Sequence, residues 1–379
     1  MKSVINVYVT ARPSWSRVKS LVLNYIKIAG PDSVVISLTG PALSNRYGNL
    51  QEVIPSGIKT KFFPTLKENS SLASVALASL DGGIAACQSW ENDRPDAVLV
   101  VADRVETLGI SLAAASMQIP LIHLQGGEIS GSIDDKIRDT NSKLADLHLT
   151  TNERTKKNLI AMGELPENIK VVGCPSIDIL NERLLLKKSI PESSSQFGGV
   201  GTEFSTNQEY GLILFHPDTL NLKENIEWIQ LLHQMTENTD LNWFWFWPNP
   251  DFGSDVLSKI LREYREQSKL RKIRYLRNLT PEIFMDLVLR AKVMVGNSSF
   301  GIREAAFIGL PVLNLGGRQA GRERAQNVLD IDAPRQILSD LHDHMKKSFS
   351  PSDIYGCGDS GQLAAKYIFE WAPMVKLRK

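Results

Sequence analysis

The 379-residue chain has only three cysteines, Cys87, Cys174 and Cys357, far apart and odd in number. None stands in a CxxC or a Cys/His pair at metal-ligand spacing, which excludes a disulfide framework and a structural zinc site. Thiols of this kind are incidental residues of a reducing compartment. Neither sign of charge is in excess: 43 Lys and Arg against 42 Asp and Glu leave +1. That balance removes nucleic acid and an anionic membrane surface as the main partner, although an anion pocket needs only local charge. Long apolar runs are absent as well. The longest candidate, Leu108 to Leu124, is interrupted by Gln118 and Pro120, so no stretch suits a membrane span. Val4 to Val9 is too short for a secretory signal and reads as a first strand. No GxGxxG follows that strand and no GxxxxGK[ST] occurs, which counts against NAD, FAD and a P-loop. A soluble cytoplasmic protein is expected.

What is present is regular alternation. Hydrophobic residues make up 42% and charged residues 22% of the chain, and the length suits two domains. Strands are expected at Ile5–Thr10, Val34–Leu38, Lys59–Phe63, Ala97–Val101, Leu121–Gln125, Leu147–Thr150 and Ile169–Val172. Between them lie helical patterns at Trp15–Ala29, Leu72–Ser89, Glu106–Met117, Ile133–Ala145 and Glu153–Met162. Composition turns to Ser, Gly and Pro over 188–207, the natural linker. The alternation then restarts with strands at Tyr210–Phe215, Trp243–Trp247, Ile273–Leu276, Lys292–Val295 and Val312–Leu315. Its helices are Lys223–Asn238, Ser254–Gln267, one from Pro281 and one opening near Gly301. Strands alternating with helices mean parallel sheets covered on both faces. The expected architecture is α/β, two Rossmann-like doubly wound domains with a cleft between them: 1–187, the linker, and 208–360. A last helix within 361–379 is expected to pack back on the first domain. The Trp243-Phe244-Trp245-Phe246-Trp247 run is explained by a core strand without a cofactor.

In open α/β sheets ligands sit at the carboxyl ends of strands, so the polar residues there are the candidates. Gly296-Asn297-Ser298-Ser299-Phe300-Gly301 precedes a helix that begins Ile302-Arg303-Glu304. Small residues let a backbone approach a phosphate, and N–H groups at a helix start point at it; an ordinary strand-to-helix turn would look the same. Glu304 is either a surface acid favoured by the helix dipole or a ribose hydroxyl acceptor. Arg12, with Arg17 and Lys19 further along, could neutralise a diphosphate or form a solvated basic face. His216 and Asn249 each follow a strand in the second half. Asp103 and Glu128 end adjacent strands, and Asp134 and Asp135 open the next helix. Clustered acids in a partly dry site separate in pKa into a base and an acid, while either of the last two could simply cap its helix. The lone Asp330-Ile331-Asp332 reads as a cap of the following helix rather than a metal pair.

Taken in order, these stretches resemble the UDP-N-acetylglucosamine 2-epimerase family, most closely its hydrolysing branch. The matching motifs are Thr10-Ala11-Arg12, Ala102-Asp103-Arg104, His123-Leu124-Gln125-Gly126-Gly127-Glu128, Ile133-Asp134-Asp135-Lys136-Ile137-Arg138 and Val172-Gly173-Cys174-Pro175. They continue with His216-Pro217-Asp218-Thr219, the Gly296 to Glu304 run and Arg318-Gln319-Ala320-Gly321-Arg322. The resemblance implies a glycosyltransferase-B-like fold and a nucleotide-sugar substrate, with no metal and no redox cofactor. The implied reaction converts UDP-GlcNAc to ManNAc and UDP for sialic-acid-like or surface polysaccharide synthesis. It assigns Arg12, His216, Ser298, Ser299 and Gly301 to the diphosphate, Glu304 to the ribose, and Asp103, Glu128 and Asp134 to acid–base work. Lys19 and Asn249 are counted with the binding residues. The first loop and Asp139 depart from the family pattern where the sugar pocket is expected. A non-hydrolysing 2-epimerase, a glycosyltransferase of the same fold and a non-catalytic nucleotide-sugar sensor are the competing readings. A homodimer is the base-rate expectation.

Overall fold

A parallel strand covered on both faces needs an uninterrupted apolar run, and the chain supplies such runs at regular intervals. The computed structural model describes residues 3–66, 71–218, 221–249, 253–267, 272–332 and 337–375; Thr219, Pro250 and Asp251 lie outside them. The chain divides into two compact units, residues 1–129, 133–179 and 355–379 in the first, and 130–132 with 180–354 in the second.

The first unit runs β1 (Ile5–Val9), α1 (Arg12–Ala29), β2 (Val34–Thr39), β3 (Lys59–Phe63), α2 (Leu72–Asn92), β4 (Ala97–Val101) and α3 (Val105–Ser116). It continues with β5 (Leu121–Leu124), α4 (Asp134–Leu144), β6 (Leu147–Thr150), α5 (Glu153–Ala161), β7 (Ile169–Val171) and α6 (Pro175–Leu186), the last crossing the division. The sheet order is β3-β2-β1-β4-β5-β6-β7, every pair parallel. Alternate residues of β4 serve opposite faces. Ala97, Leu99 and Val101 join the core that contains Trp15, Leu21 and Ala364, whereas Val98 and Val100 join Ala86, Trp90 and Ile110. On that second face α2 and α3 touch backbone to backbone. A Cβ on Gly109 would stand 2.0 Å from the Ser79 carbonyl oxygen.

The second unit runs β8 (Val200–Gly201), β9 (Tyr210–Leu214), α7 (Leu222–Glu237), β10 (Asn242–Phe246), α8 (Ser254–Gln267), β11 (Ile273–Leu276) and α9 (Pro281–Val288). Then come β12 (Val293–Gly296), α10 (Ser299–Ile302), α11 (Glu304–Ile308), β13 (Val312–Leu315), β14 (Val328–Ile331) and α12 (Ile337–His344). Its order is β14-β13-β12-β9-β10-β11-β8. Counted from β9, that is the same doubly wound 3-2-1-4-5-6 order as the first sheet. In β10 Trp243 and Trp245 face the core beneath α7, and Phe244 and Phe246 face the opposite one. The aromatic run is core. α13 (Ser360–Trp371) returns to the first unit. The Asp178 carboxylate accepts the Ser360 and Gly361 N–H groups at 2.9 and 2.7 Å and the Ser20 hydroxyl at 2.6 Å, which ties α13 to α1 and α6.

Several elements differ from expectation. α1 opens at Arg12 rather than Trp15, because Pro13 is tolerated in a first helical turn. The 188–207 stretch is partly structured: Ser194–Phe197 forms a 3-10 turn and β8 pairs antiparallel with β11. Asp330 lies within β14, where its carboxylate accepts from Asn314 at 2.7 Å and from Arg324, so it caps no helix. α6 was not anticipated because Leu184, Leu185 and Leu186 are all exposed and spoil the amphipathic pattern. β14, an edge strand with mixed burial, is a further strand beyond those expected.

Candidate active site

The order of each sheet reverses beside its first strand, between β1 and β4 and between β9 and β12. Neighbouring loops there leave in opposite directions and open a crevice at the strand ends. In the first unit those ends carry Arg12 and Asp103; in the second, His216 and Ser298.

Arg12 is the first residue of α1, half-buried, and burial holds its guanidinium below the ordinary value. The loop after β2 makes room for it. Gly48 has φ +89°, and a Cβ there would stand 1.9 Å from Arg12 Nε. Lys19 lies seven residues further along α1, about 10 Å along the axis.

The acids converge on one buried cation. The buried residues of α4 are Arg138, Asn141 and Ser142. A helix normally turns its apolar face inward, and an inward face of three polar residues marks the wall of a site. The Arg138 side chain is 0% exposed. It donates to the Glu128 carbonyl at 2.7 Å and to the carboxylates of Asp135 and Asp103. Burial pulls this guanidinium down, but Asp103, Glu128 and Asp135 together outweigh it and hold it above its ordinary value. The Glu128 carboxylate, almost wholly buried, accepts from the Thr151 hydroxyl at 3.2 Å. Asp134 is half-buried at the start of α4, while Asp135 makes the ion pair with Arg138. On the next turn Asp139 is raised, first by burial and then by Asp135, against Arg138.

The loop after β12 is braced from several sides. Asn297 accepts the His216 N–H at 2.8 Å and donates its amide to the His216 carbonyl at 2.8 Å, clasping β9 to β12. Its own carbonyl receives Gln319 Nε2 at 2.9 Å and Arg318 at 3.3 Å. His216 Nδ1 accepts the Asn249 N–H at 3.3 Å, which places the proton on Nε2. Burial, with help from Arg318, pushes His216 down to about 3. The ring is therefore a neutral donor. Ser298 caps α10, its hydroxyl accepting from the Phe300 N–H, and Ser299 accepts from Arg303 at 3.0 Å. The expected single helix is broken at Arg303 into α10 and α11, and Glu304, buried, opens the second piece. Gly301 packs against Val312, which a Cβ would meet at 3.0 Å.

The fold thus brings Asp103 and Glu128 together, and His216 with Asn249 and the Ser298–Ser299 loop. Sequence reasoning assigned no role to Arg138, left Asp135 open between the acid cluster and a helix cap, and took Asn297 only as a member of the Gly296–Gly301 turn. The Asp135–Arg138 spacing was a usable signal for the first two. Among the described residues no group of three His, Cys, Asp or Glu could hold a metal ion, and no helix is long and apolar enough to cross a membrane.

Two Rossmann-type domains of matching strand order, with acids ending the strands of one and a braced serine loop in the other, define a glycosyltransferase-B-like protein. The profile of the family described as UDP-N-acetylglucosamine 2-epimerase matches residues 52–369. The chain belongs to that family. It is 32% identical over 360 residues, 94% of its length and 93% of the relative's, to the UDP-N,N'-diacetylbacillosamine 2-epimerase (hydrolyzing) of Legionella pneumophila. It is also 32% identical, over 79% of its length and 77% of the relative's, to the GDP/UDP-N,N'-diacetylbacillosamine 2-epimerase (hydrolyzing) of Campylobacter jejuni. The fold is shared with the UDP-GlcNAc 2-epimerase of Methanocaldococcus jannaschii, solved in complex with UDP-GlcNAc and UDP. That likeness has a TM-score of 0.80 at 16% identity, over 97% of this chain and 99% of that one.

Proposed function

We propose that the chain is a hydrolysing 2-epimerase that releases UDP from a UDP-linked 2-acetamido sugar and frees the sugar as its C2 epimer. The observation that carries the reading is the group of acids at the β4 and β5 ends around the buried Arg138. A C2 proton beside no carbonyl is weakly acidic, so departure of the leaving group must lead. One carboxylate of Asp103, Glu128 and Asp134 takes that proton while the C1–O bond breaks, its electron pair going to UDP, and a C1=C2 bond forms. Water then adds hydroxyl at C1, and a proton reaches C2 from the opposite face. Arg12, the neutral His216 Nε2–H, Ser298, Ser299 and Gly301 hold the diphosphate, and preorganised donors of this kind contribute several kcal/mol at a developing charge. Glu304 serves the ribose, and Asn249 orients His216. The 32% identity to two enzymes named for UDP-N,N'-diacetylbacillosamine favours a sugar with acetamido groups at C2 and C4. The family match alone favours UDP-GlcNAc. The released sugar feeds surface-sugar synthesis in the cytoplasm, and a homodimer is the base-rate assembly.

Proton NMR in D₂O with each UDP-sugar tests this. Free C2-epimer deuterated at C2, with stoichiometric UDP, is the expected result, and the substrate turned over faster identifies the sugar. Epimerised nucleotide sugar without free sugar would move the chain to the non-hydrolysing class. Asp103→Asn and Glu128→Gln should each lower sugar release by at least about 100-fold; wild-type release in both would refute the assignment.

A further inference from the structure

Asp103 follows a residue in a rare backbone conformation. Ala102 has φ +56°, the left-handed region that a residue with a Cβ seldom occupies. Its peptide groups are held on both sides. The Ala102 N–H donates to the Leu124 carbonyl at 2.8 Å. Its carbonyl receives His123 Nε2 at 2.8 Å and Asn141 Nδ2 at 3.4 Å. A carbonyl only accepts, so the His123 proton sits on Nε2, and Nδ1 accepts from the Ser142 hydroxyl at 3.0 Å. The ring is wholly buried and has no part in the acid–base steps above. Room for it is kept by Gly126, where a Cβ would stand 2.8 Å from His123 Nδ1 and 2.7 Å from Ser142 Oγ. Asn141 and Ser142 share the buried face of α4 with Arg138. One helix therefore holds the Asp103 carboxylate through Arg138 and, by way of His123, the peptide that precedes it.

We propose that His123 is a positioning residue: by locking the Ala102 carbonyl it fixes the peptide plane that aims the Asp103 carboxylate at the substrate. The inference rests on Asp103 being a catalytic residue, and it assigns His123 no proton transfer. A histidine that merely fills the core would affect stability and leave turnover of the folded enzyme intact. A misaimed group changes kcat and leaves substrate binding nearly untouched.

The test compares kcat, KM and thermal midpoint for His123→Ala, His123→Gln, Ser142→Ala and Gly126→Ala, with Asp103→Asn as control. His123→Ala should lower kcat about 100-fold, the cost of a displacement near 1 Å, with KM within about threefold. His123→Gln, whose amide N–H reaches the same carbonyl, should recover most of that loss. Gly126→Ala, which pushes the ring, should behave like His123→Ala. Ser142→Ala removes only the hydroxyl that orients the ring; it should give a smaller kcat loss and keeps the test open should His123→Ala not fold. Equal kcat losses in His123→Ala and His123→Gln, or wild-type kcat in His123→Ala or Ser142→Ala, would overturn the proposal. Wild-type turnover in Asp103→Asn would instead remove the reading beneath it.

Discussion

Arg138 shows at the residue scale how one side chain organises several others. Its guanidinium fork reaches Asp103, Asp135 and the Glu128 carbonyl at once, which a single ammonium cannot reproduce. Removing it leaves the partly buried Asp103 and Asp135 carboxylates without their counterion, a defect that costs up to about 3 kcal/mol. Arg138→Ala should therefore lower the thermal midpoint sharply as well as abolish turnover. Arg138→Lys should keep most of the stability and lose at least tenfold in kcat; a lysine variant as active as the wild type would deny the fork its role. Asp103 and Glu128 were legible in the sequence because each lies within a few residues of the end of an apolar run, and topology alone brings strand ends together. Their partners were not. Whether Arg138 turns inward is settled by what α4 packs against.

Close contacts matter most at the element scale. The α2–α3 crossing depends on glycines with no space for a side chain: besides Gly109 on Ser79, a Cβ on Gly83 would meet the Gly109 carbonyl at 2.7 Å. Backbone cannot rotate aside as a flexible side chain can, so Gly109→Ala should destabilise the first unit by about 1–3 kcal/mol. Thermal unfolding should show a loss of roughly 2–10 °C, and an unchanged midpoint would mean the helices can part freely. Elements whose burial follows local pattern were readable to the residue, as with β4, β6, α8, β11 and β13, and the incompletely buried edge strand β3 was readable from its Lys-Thr-Lys-Phe-Phe run between turns. The pattern did not yield β14, α6 or the two-residue β8. It failed also at Arg303, where a backbone break divides one expected helix into two short ones.

For the whole molecule, each unit contains a histidine buried in its neutral form. Burial pushes both His123, in the first unit, and His216, in the second, down to about 3. An unfolded histidine titrates near 6.5. Below that pH the unfolded chain binds protons that the folded chain refuses, so the stability these groups confer is complete above about 6.5 and falls as pH drops towards 3. The slope is about 1.4 kcal/mol per pH unit for each histidine. Thermal midpoints should hold between pH 7 and 8 and decline from 6.5 to 4. His216→Gln should flatten that decline relative to the wild type, and identical slopes would refute the linkage.

Local sequence determined the class of the fold, since buried parallel strands must be apolar runs and their connections must be long enough for helices. It also narrowed where chemistry could sit, because ligands of open α/β sheets lie at the carboxyl ends of such runs. Only the tertiary structure decided which acids share a cation, which peptide His123 holds and which loop Asn297 clasps. Those contacts join residues on different strands and helices, such as Ala102 to His123 and His216 to Asn297. Their geometry depends on left-handed turns at strand ends, as at Ala102, which neither composition nor periodicity records.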